Sequence, residues 1–253
     1  MSSGKCAALS ASKSASRLED ISARVEVRRH PGARRLTLRV SRTRRAVIVT
    51  IPVQCDLDEA GTFLNRHIEW VKERLDSLPA PAPFCDGTPM PLRGEAHRIV
   101  FTGSSRTRHI AVVRETAQRP EIHVPGNRDT APQRLRLWLF DQARQDLDAS
   151  VARHTRSLRL SARKIAVRDQ SSRWGSCSTT GVLSFSWRLV LAPPHVLDYV
   201  AAHEVAHLAE MNHGSRFWAL VQKAMPEYEK PKRWLQIYGL DLHRYGATAD
   251  VAA

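Results

Sequence analysis

Two histidines four residues apart enclose a glutamate in His203-Glu204-Val205-Ala206-His207. On a helix, positions i and i+4 differ by about 40° of rotation and one turn of rise, so both imidazoles can close on one ion. Glu204 follows His203 by about 100°, which lets its carboxylate flank a water on that ion without displacing it. A third ligand must come from outside the helix, and His213, six residues beyond His207, is spaced to supply it. Three neutral imidazoles on zinc leave one position open, the arrangement of a catalytic site. Zinc lowers the pKa of a bound water to about 7, and Glu204 is placed to accept that proton as general base. The implied chemistry is metal-assisted hydrolysis. Two histidines on an apolar helix face also fit a plain core pair, but that account leaves Glu204 and the spacing of His213 unexplained.

Several elements must position these groups. A helix over 193–211 opens on Pro193 and Pro194, which suit a first turn, and places Val196, Tyr199 and Val200 on the side of His203 and His207. A short strand is expected at 164–168. A longer one is expected at 182–190, with Leu183, Phe185, Trp187 and Leu189 facing one way and Ser184, Ser186 and Arg188 the other. Its edge could pair with an extended peptide. Shorter helices are expected at 215–225 and 230–240. Upstream, a helix over 134–158 carries an apolar stripe at Leu135, Leu139, Ala143, Leu147, Val151 and Leu158.

The first half reads differently. Residues 35–40 alternate as a half-exposed strand, 46–51 form a β-branched run, and His30-Pro31-Gly32 marks a turn. Helical spacing follows over 56–78, then the proline-rich stretch 78–83, then strands at 97–101, 109–113 and 121–124. The expected class is α+β, a motif helix packed on a small sheet. The expected division is a tail at 1–22, a β-rich region with one helix at 23–130, a hydrolase domain at 131–245 and a short tail at 246–253.

Composition bounds the partners. The chain has 253 residues, of which 42% are hydrophobic, enough to bury a sizeable core. No apolar run reaches the about 20 residues that cross a bilayer, and the first 20 residues lack the apolar stretch of a secretory signal, so no membrane partner and a cytoplasmic location are expected. Cys6, Cys55, Cys85 and Cys177 show no paired metal-ligand spacing and are expected to be free thiols, Cys177 as a small buried side chain. The net charge is +14, with nine arginines between Arg24 and Arg45 opposed by Glu26 alone. Such a surface attracts nucleic acid, although an arginine preference throughout the chain accounts for it equally.

The phrases Arg173-Trp174-Gly175-Ser176-Cys177-Ser178, Trp187-Arg188-Leu189-Val190, Asp198-Tyr199-Val200, His203-Glu204-Val205-Ala206-His207-Leu208 and Asn212-His213 with Phe217-Trp218 carry a resemblance. Together they resemble the YgjP-like metal-dependent hydrolases, a zincin-type group related to SprT-like proteases, over roughly residues 24 to 240. The resemblance implies zinc held by His203, His207 and His213, Glu204 as base, and a protein or peptide substrate. A downstream glutamate, Glu227 or Glu229, is the alternative third ligand; His213 is nearer and falls in the matching phrase. The histidine spacing also equals that of metzincins, but Glu210 stands where those have glycine, and Asn212 is expected to make the turn instead. Arg173 and Trp174 either line the cleft or pack beneath it, and Tyr228 and His243 are alternative transition-state donors. Two further functions remain in view: metal-dependent hydrolysis of nucleotides, and a protease module recruited to DNA or RNA through the basic surface.

Overall fold

The computed structural model describes residues 23–42, 44–103, 109–113 and 120–247. The tail expected at 1–22, Cys6, and all of the expected 246–253 tail except Gly246 and Ala247 lie outside the described residues. The architecture is α+β and divides into two compact units, Met1–Pro81 with Ala247–Ala253, and Ala82–Gly246. The division falls inside the stretch 23–130.

In the first unit, β1 (Val25–Arg29), β2 (Thr37–Ser41) and β3 (Ala46–Ile51) form a sheet in the order β1-β3-β2. The β-branched β3 takes the centre, parallel to β1 and antiparallel to β2, and Val47, Val49 and Ile51 are almost wholly buried. The helix expected over 56–78 is broken at His67 into α1 (Leu57–Arg66) and α2 (Ile68–Asp76). The His67 N–H bonds the Leu64 carbonyl at 3.0 Å, a bond three residues back instead of four that tightens the turn. Among the described residues, four of the nine clustered arginines have internal partners. Arg28 and Arg44 both hold Glu26, while Arg29 and Arg45 donate to backbone carbonyls.

The second unit holds a four-stranded sheet in the order β4-β5-β7-β6, formed by β4 (Pro89–Leu92), β5 (Glu95–Phe101), β6 (Ala111–Val113) and β7 (Glu121–Val124). Met90, Ile99, Ile122 and Val124 meet Leu135 and Leu139 of α3 (Ala131–Leu158) and the buried Trp187 in one core. The expected stripe along α3 is buried from Leu135 to Leu158.

A second, three-stranded sheet supports the motif helix. Its strands β8 (Lys164–Arg168), β9 (Gly175–Cys177) and β10 (Val182–Ser186) lie in the order β8-β10-β9. Two expectations change here. The strand ends at Ser186, and Trp187–Leu191 is a 3-10 helix whose five residues are all buried. The alternation of Trp187, Arg188 and Leu189 reads as a continued strand, but Arg188 is buried with its neighbours, so that alternation does not report exposure. In addition, β10 is the central strand, with β8 and β9 on either side, so it offers no free edge.

Arg188 faces inward instead of outward. It is 1% exposed, ion-paired with Asp169, and its guanidinium lies 4.4 Å from the centre of the Trp187 ring. Burial lowers its pKa, and Asp169 opposes that fall.

Helix α4 (Pro194–Ala206) carries the motif and packs against α3, β9, α5 (Ser215–Ala224) and α6 (Glu229–Leu242). Its start is pinned by the β4–β5 hairpin, where Arg93 and Gly94 adopt φ 51° and 80°. The Arg93 and Gly94 N–H groups donate to the Val190 and Leu191 carbonyls at 2.7 and 3.1 Å. A Cβ on Gly94 would lie 2.9 Å from the Pro193 ring, so the hairpin fits there only as glycine. The Arg93 side chain then reaches Asp146 on α3 at 2.8 Å. Further along α4, Asp198 accepts from Arg153 at 2.7 Å and lies 2.6 Å from His154 Nε2, both on α3. No described helix is long and apolar enough to cross a membrane.

Candidate metal centre

Helix α4 stops at Ala206, five residues short of the expected end, and His207 is its C-cap with φ −65° and ψ −17°. His207 therefore keeps helical geometry, and its N–H still bonds the His203 carbonyl at 3.3 Å. The two motif imidazoles lie 4.9 Å apart, centroid to centroid. Beyond the cap the Leu208 and Ala209 N–H groups donate three residues back, to Val205 and Ala206. The chain thus tightens and turns without any left-handed residue. Asn212 does not supply the left-handed turn expected of it, since the only non-glycine residues with positive φ among those described are Arg45, Arg93 and Arg159. Its carbonyl instead accepts from the Gly214 N–H at 2.8 Å.

This turn returns His213 to the helix. Its ring lies 5.0 Å from that of His203 and 4.8 Å from that of His207. One nitrogen from each of the three histidines lies within 4.8 Å of the others, and His213 Nε2 is 3.1 Å from His203 Nε2. Zinc–nitrogen bonds of about 2.0–2.1 Å in a tetrahedron set nitrogens about 3.3–3.4 Å apart, so the cluster needs little adjustment to hold an ion. The residues present fit a metal. Glu227, the alternative third ligand, is exposed and paired with Lys230.

The surroundings suit ligands that must be neutral. Phe217 of α5 is wholly buried and meets all three imidazoles at 4.5 to 4.9 Å, an apolar floor beneath the site. Burial, reinforced by charge from His207, His213 and Lys232, pushes His203 down to about 3. Burial also lowers His207, against the opposing bond from the Glu210 carbonyl. That carbonyl accepts from His207 Nδ1 at 2.9 Å, which leaves the Nε2 lone pair for an ion. His203 Nδ1 is buried with no hydrogen-bond partner. His213 is exposed, so the cluster is open on that side.

Glu204 is 5% exposed and its Oε2 has no hydrogen-bond partner. Burial raises its carboxyl to about 8, partly offset by the positive charge of Arg173. The carboxylate lies against β9 at Gly175, where a Cβ would be 2.5 Å from Oε1. Only a glycine leaves room for it.

Neighbouring residues sort themselves by position. Tyr228 joins the rings about the cluster, stacking 5.4 Å from Trp218, which stands 6.1 Å from His203 and 6.0 Å from His213. His243 is buried and stacks on Trp174 at 4.8 Å, and Trp174 packs against Gly239 of α6. Trp174 therefore has a packing role, whereas Arg173 is exposed and acts on Glu204 through its charge. Tyr199 lies edge-on to His203 at 5.9 Å, its hydroxyl pushed up to about 12 by burial and by Tyr228 and Glu204. Cys55, Cys85 and Cys177 are free thiols, and Cys177 is only partly buried. The closeness of Gly175 and Glu204, and the position of Lys232, left no signal in the sequence, because each joins segments distant along the chain.

An α+β unit that gathers three imidazoles and a buried carboxyl near one helix end has the donor set expected of a metal-dependent hydrolase. The family model described as YgjP-like, metallopeptidase domain, matches residues 34–238. The chain belongs to the YgjP-like metallopeptidase family. No curated protein gives a significant match. Among solved structures, the metallopeptidase zymogen of Pyrococcus abyssi abylysin is similar over 37% of this chain and 95% of its own, at 18% identity and a TM-score of 0.34. A likeness that slight carries no argument about this site.

Proposed function

We propose that this protein is a zinc-dependent peptidase in which His203, His207 and His213 hold the metal and Glu204 is the general base. The observation that carries the reading is the buried, unpartnered Glu204 carboxyl beside three convergent imidazoles, in a chain of a metallopeptidase family. An all-imidazole donor set favours zinc over the oxygen-seeking magnesium and calcium. Zinc in this site would polarise a peptide carbonyl and bring the pKa of a water near neutrality.

Glu204 supplies the proton transfer. Held against Gly175 and ionised beside a dipositive metal, whose charge would lower its pKa, its carboxylate accepts a proton from the attacking water and delivers it to the departing amine. Phe217 keeps bulk water from beneath the imidazoles. Because β10 is central, the strand available to an extended peptide is β9, whose one partner is β10 and which lies against Glu204. A peptide aligned on its outer edge would use backbone hydrogen bonds for affinity. The family is a peptidase one, which favours a peptide over a phosphate ester.

Glu204→Gln tests this directly. The amide preserves shape but cannot take a proton, so zinc content should match the unmutated protein while peptide cleavage falls by about 10²- to 10⁴-fold. Full cleavage by Glu204→Gln would remove the glutamate from the mechanism.

A further inference from the structure

Lys232 of α6 lies over the aromatic shelf at the metal centre. Its Nζ is 4.2 Å from the centre of the Trp218 ring and 5.9 Å from that of Tyr228. Trp218 in turn stands 6.0 Å from His213 and 6.1 Å from His203. Two residues earlier on the same helix, Lys230 is paired with Glu227 at 2.9 Å. Among the described residues, no carboxylate comes within 4.0 Å of Lys232.

An ammonium held over ring faces has surrendered part of its hydration for a weak attraction, so a full negative charge within reach competes well for it. A second cation, Arg173, is exposed and has no ion pair among the described residues. The charge of Lys232 is felt at His203 and that of Arg173 at Glu204. Both cations therefore border the centre where a substrate would lie.

We propose that Lys232, resting on the Trp218–Tyr228 shelf, binds a carboxylate of the peptide substrate beside the scissile bond, making the enzyme selective for peptides that present a carboxylate at that position. This rests on the peptidase reading above. The carboxylate is either an aspartate or glutamate side chain or the free carboxyl terminus of the peptide.

The two sources separate in a binding experiment on full-length, zinc-loaded Glu204→Gln protein, which leaves its ligand intact. Three fluorescein-labelled hexapeptides are compared by anisotropy at physiological salt: one with an internal glutamate and an amidated end, one with glutamine and an amidated end, and one with glutamine and a free carboxyl end. One of the two carboxylate peptides should bind about 10- to 100-fold more tightly than the neutral one, the range of a single charge-assisted hydrogen bond. Whichever it is identifies the source. Adding Lys232→Gln should abolish the preference, Lys232→Arg should retain it, and Lys164→Gln, remote on β8, should leave it unchanged. Equal binding of all three peptides, binding of none, or a preference that survives Lys232→Gln would overturn the proposal. Absence of cleavage by the unmutated protein would count against the peptidase reading alone, since binding is read separately.

Discussion

Gly175→Ala isolates the contact that holds the Glu204 carboxyl. A Cβ at position 175 would lie 2.5 Å from Glu204 Oε1, 2.6 Å from Cγ and 2.8 Å from Cδ. Ordinary contact begins at 3.4 Å, so the carboxyl must retreat by 0.9 Å or β9 must bow outward by a similar amount. Gly175 does not have positive φ, so alanine is strained there by lack of space and not by its backbone. Misplacing a reacting group by about 1 Å costs on the order of 10²-fold in rate. Overpacking also destabilises by about 1–3 kcal/mol, and the freedom of β9 on its outer edge should keep this toward the low end. The three histidines are not displaced, so metal binding is retained. The assay is kcat/KM on a quenched fluorescent peptide selected from a library, beside zinc content and thermal melting, with Ser176→Ala as the neighbouring control. Gly175→Ala should lose about 10²-fold in kcat/KM with zinc unchanged. Activity within threefold of the unmutated protein would show that this contact does not place the carboxyl, and the argument from Gly175 would fail.

Other perturbations read different parts of the unit. His213→Ala removes the one imidazole of the three that neither α4 nor its cap carries, and zinc content by elemental mass spectrometry should fall from near-stoichiometric to a small fraction; retained zinc would assign the third ligand elsewhere. Asp169→Asn leaves the buried Arg188 charge without its partner and should cost about 3–5 kcal/mol, read by urea unfolding; a change below 1 kcal/mol would mean water reaches that charge. For Asp198, burial acts to raise the carboxyl, but His154 and Arg153 outweigh it and hold the folded value below the ordinary 3.8. A depressed carboxyl stabilises the fold above its unfolded pKa, and that stability is lost as pH falls through the lower folded value. Asp198→Asn should therefore melt lower than the unmutated protein at neutral pH and show a shallower loss of stability below about pH 4. Parallel acid profiles of the two proteins would refute this.

Elements with local causes are legible in the amino-acid sequence itself. The stripe along α3, the β-branched run of β3 and the turn at His30-Pro31-Gly32 each rest on neighbours within a few residues. Trp187–Leu191 is not legible as a 3-10 helix, because five successive buried residues satisfy a strand pattern equally well. Arg188 follows the same logic. A charged side chain reads as solvent-facing until Asp169, from the loop after β8, and the carbonyl of Tyr245, 57 residues away, meet it in the core.

The candidate site divides along this line. His203, Glu204 and His207 can be placed from the sequence alone, since helix rise and rotation fix their relative positions whatever surrounds them. Everything that converts those residues into a site comes from contacts between distant segments. The return of His213 depends on a turn closed by His207 Nδ1 on the Glu210 carbonyl. The strand order β8-β10-β9 puts β9, not β10, at the edge, brings Gly175 to Glu204 and makes that glycine necessary. Lys232 reaches Trp218 because α5 and α6 both pack on α4. Local pattern sets which residues can share one face of a helix; which surface that face meets is decided by packing, whose energy is summed over pairs that sequence spacing does not order.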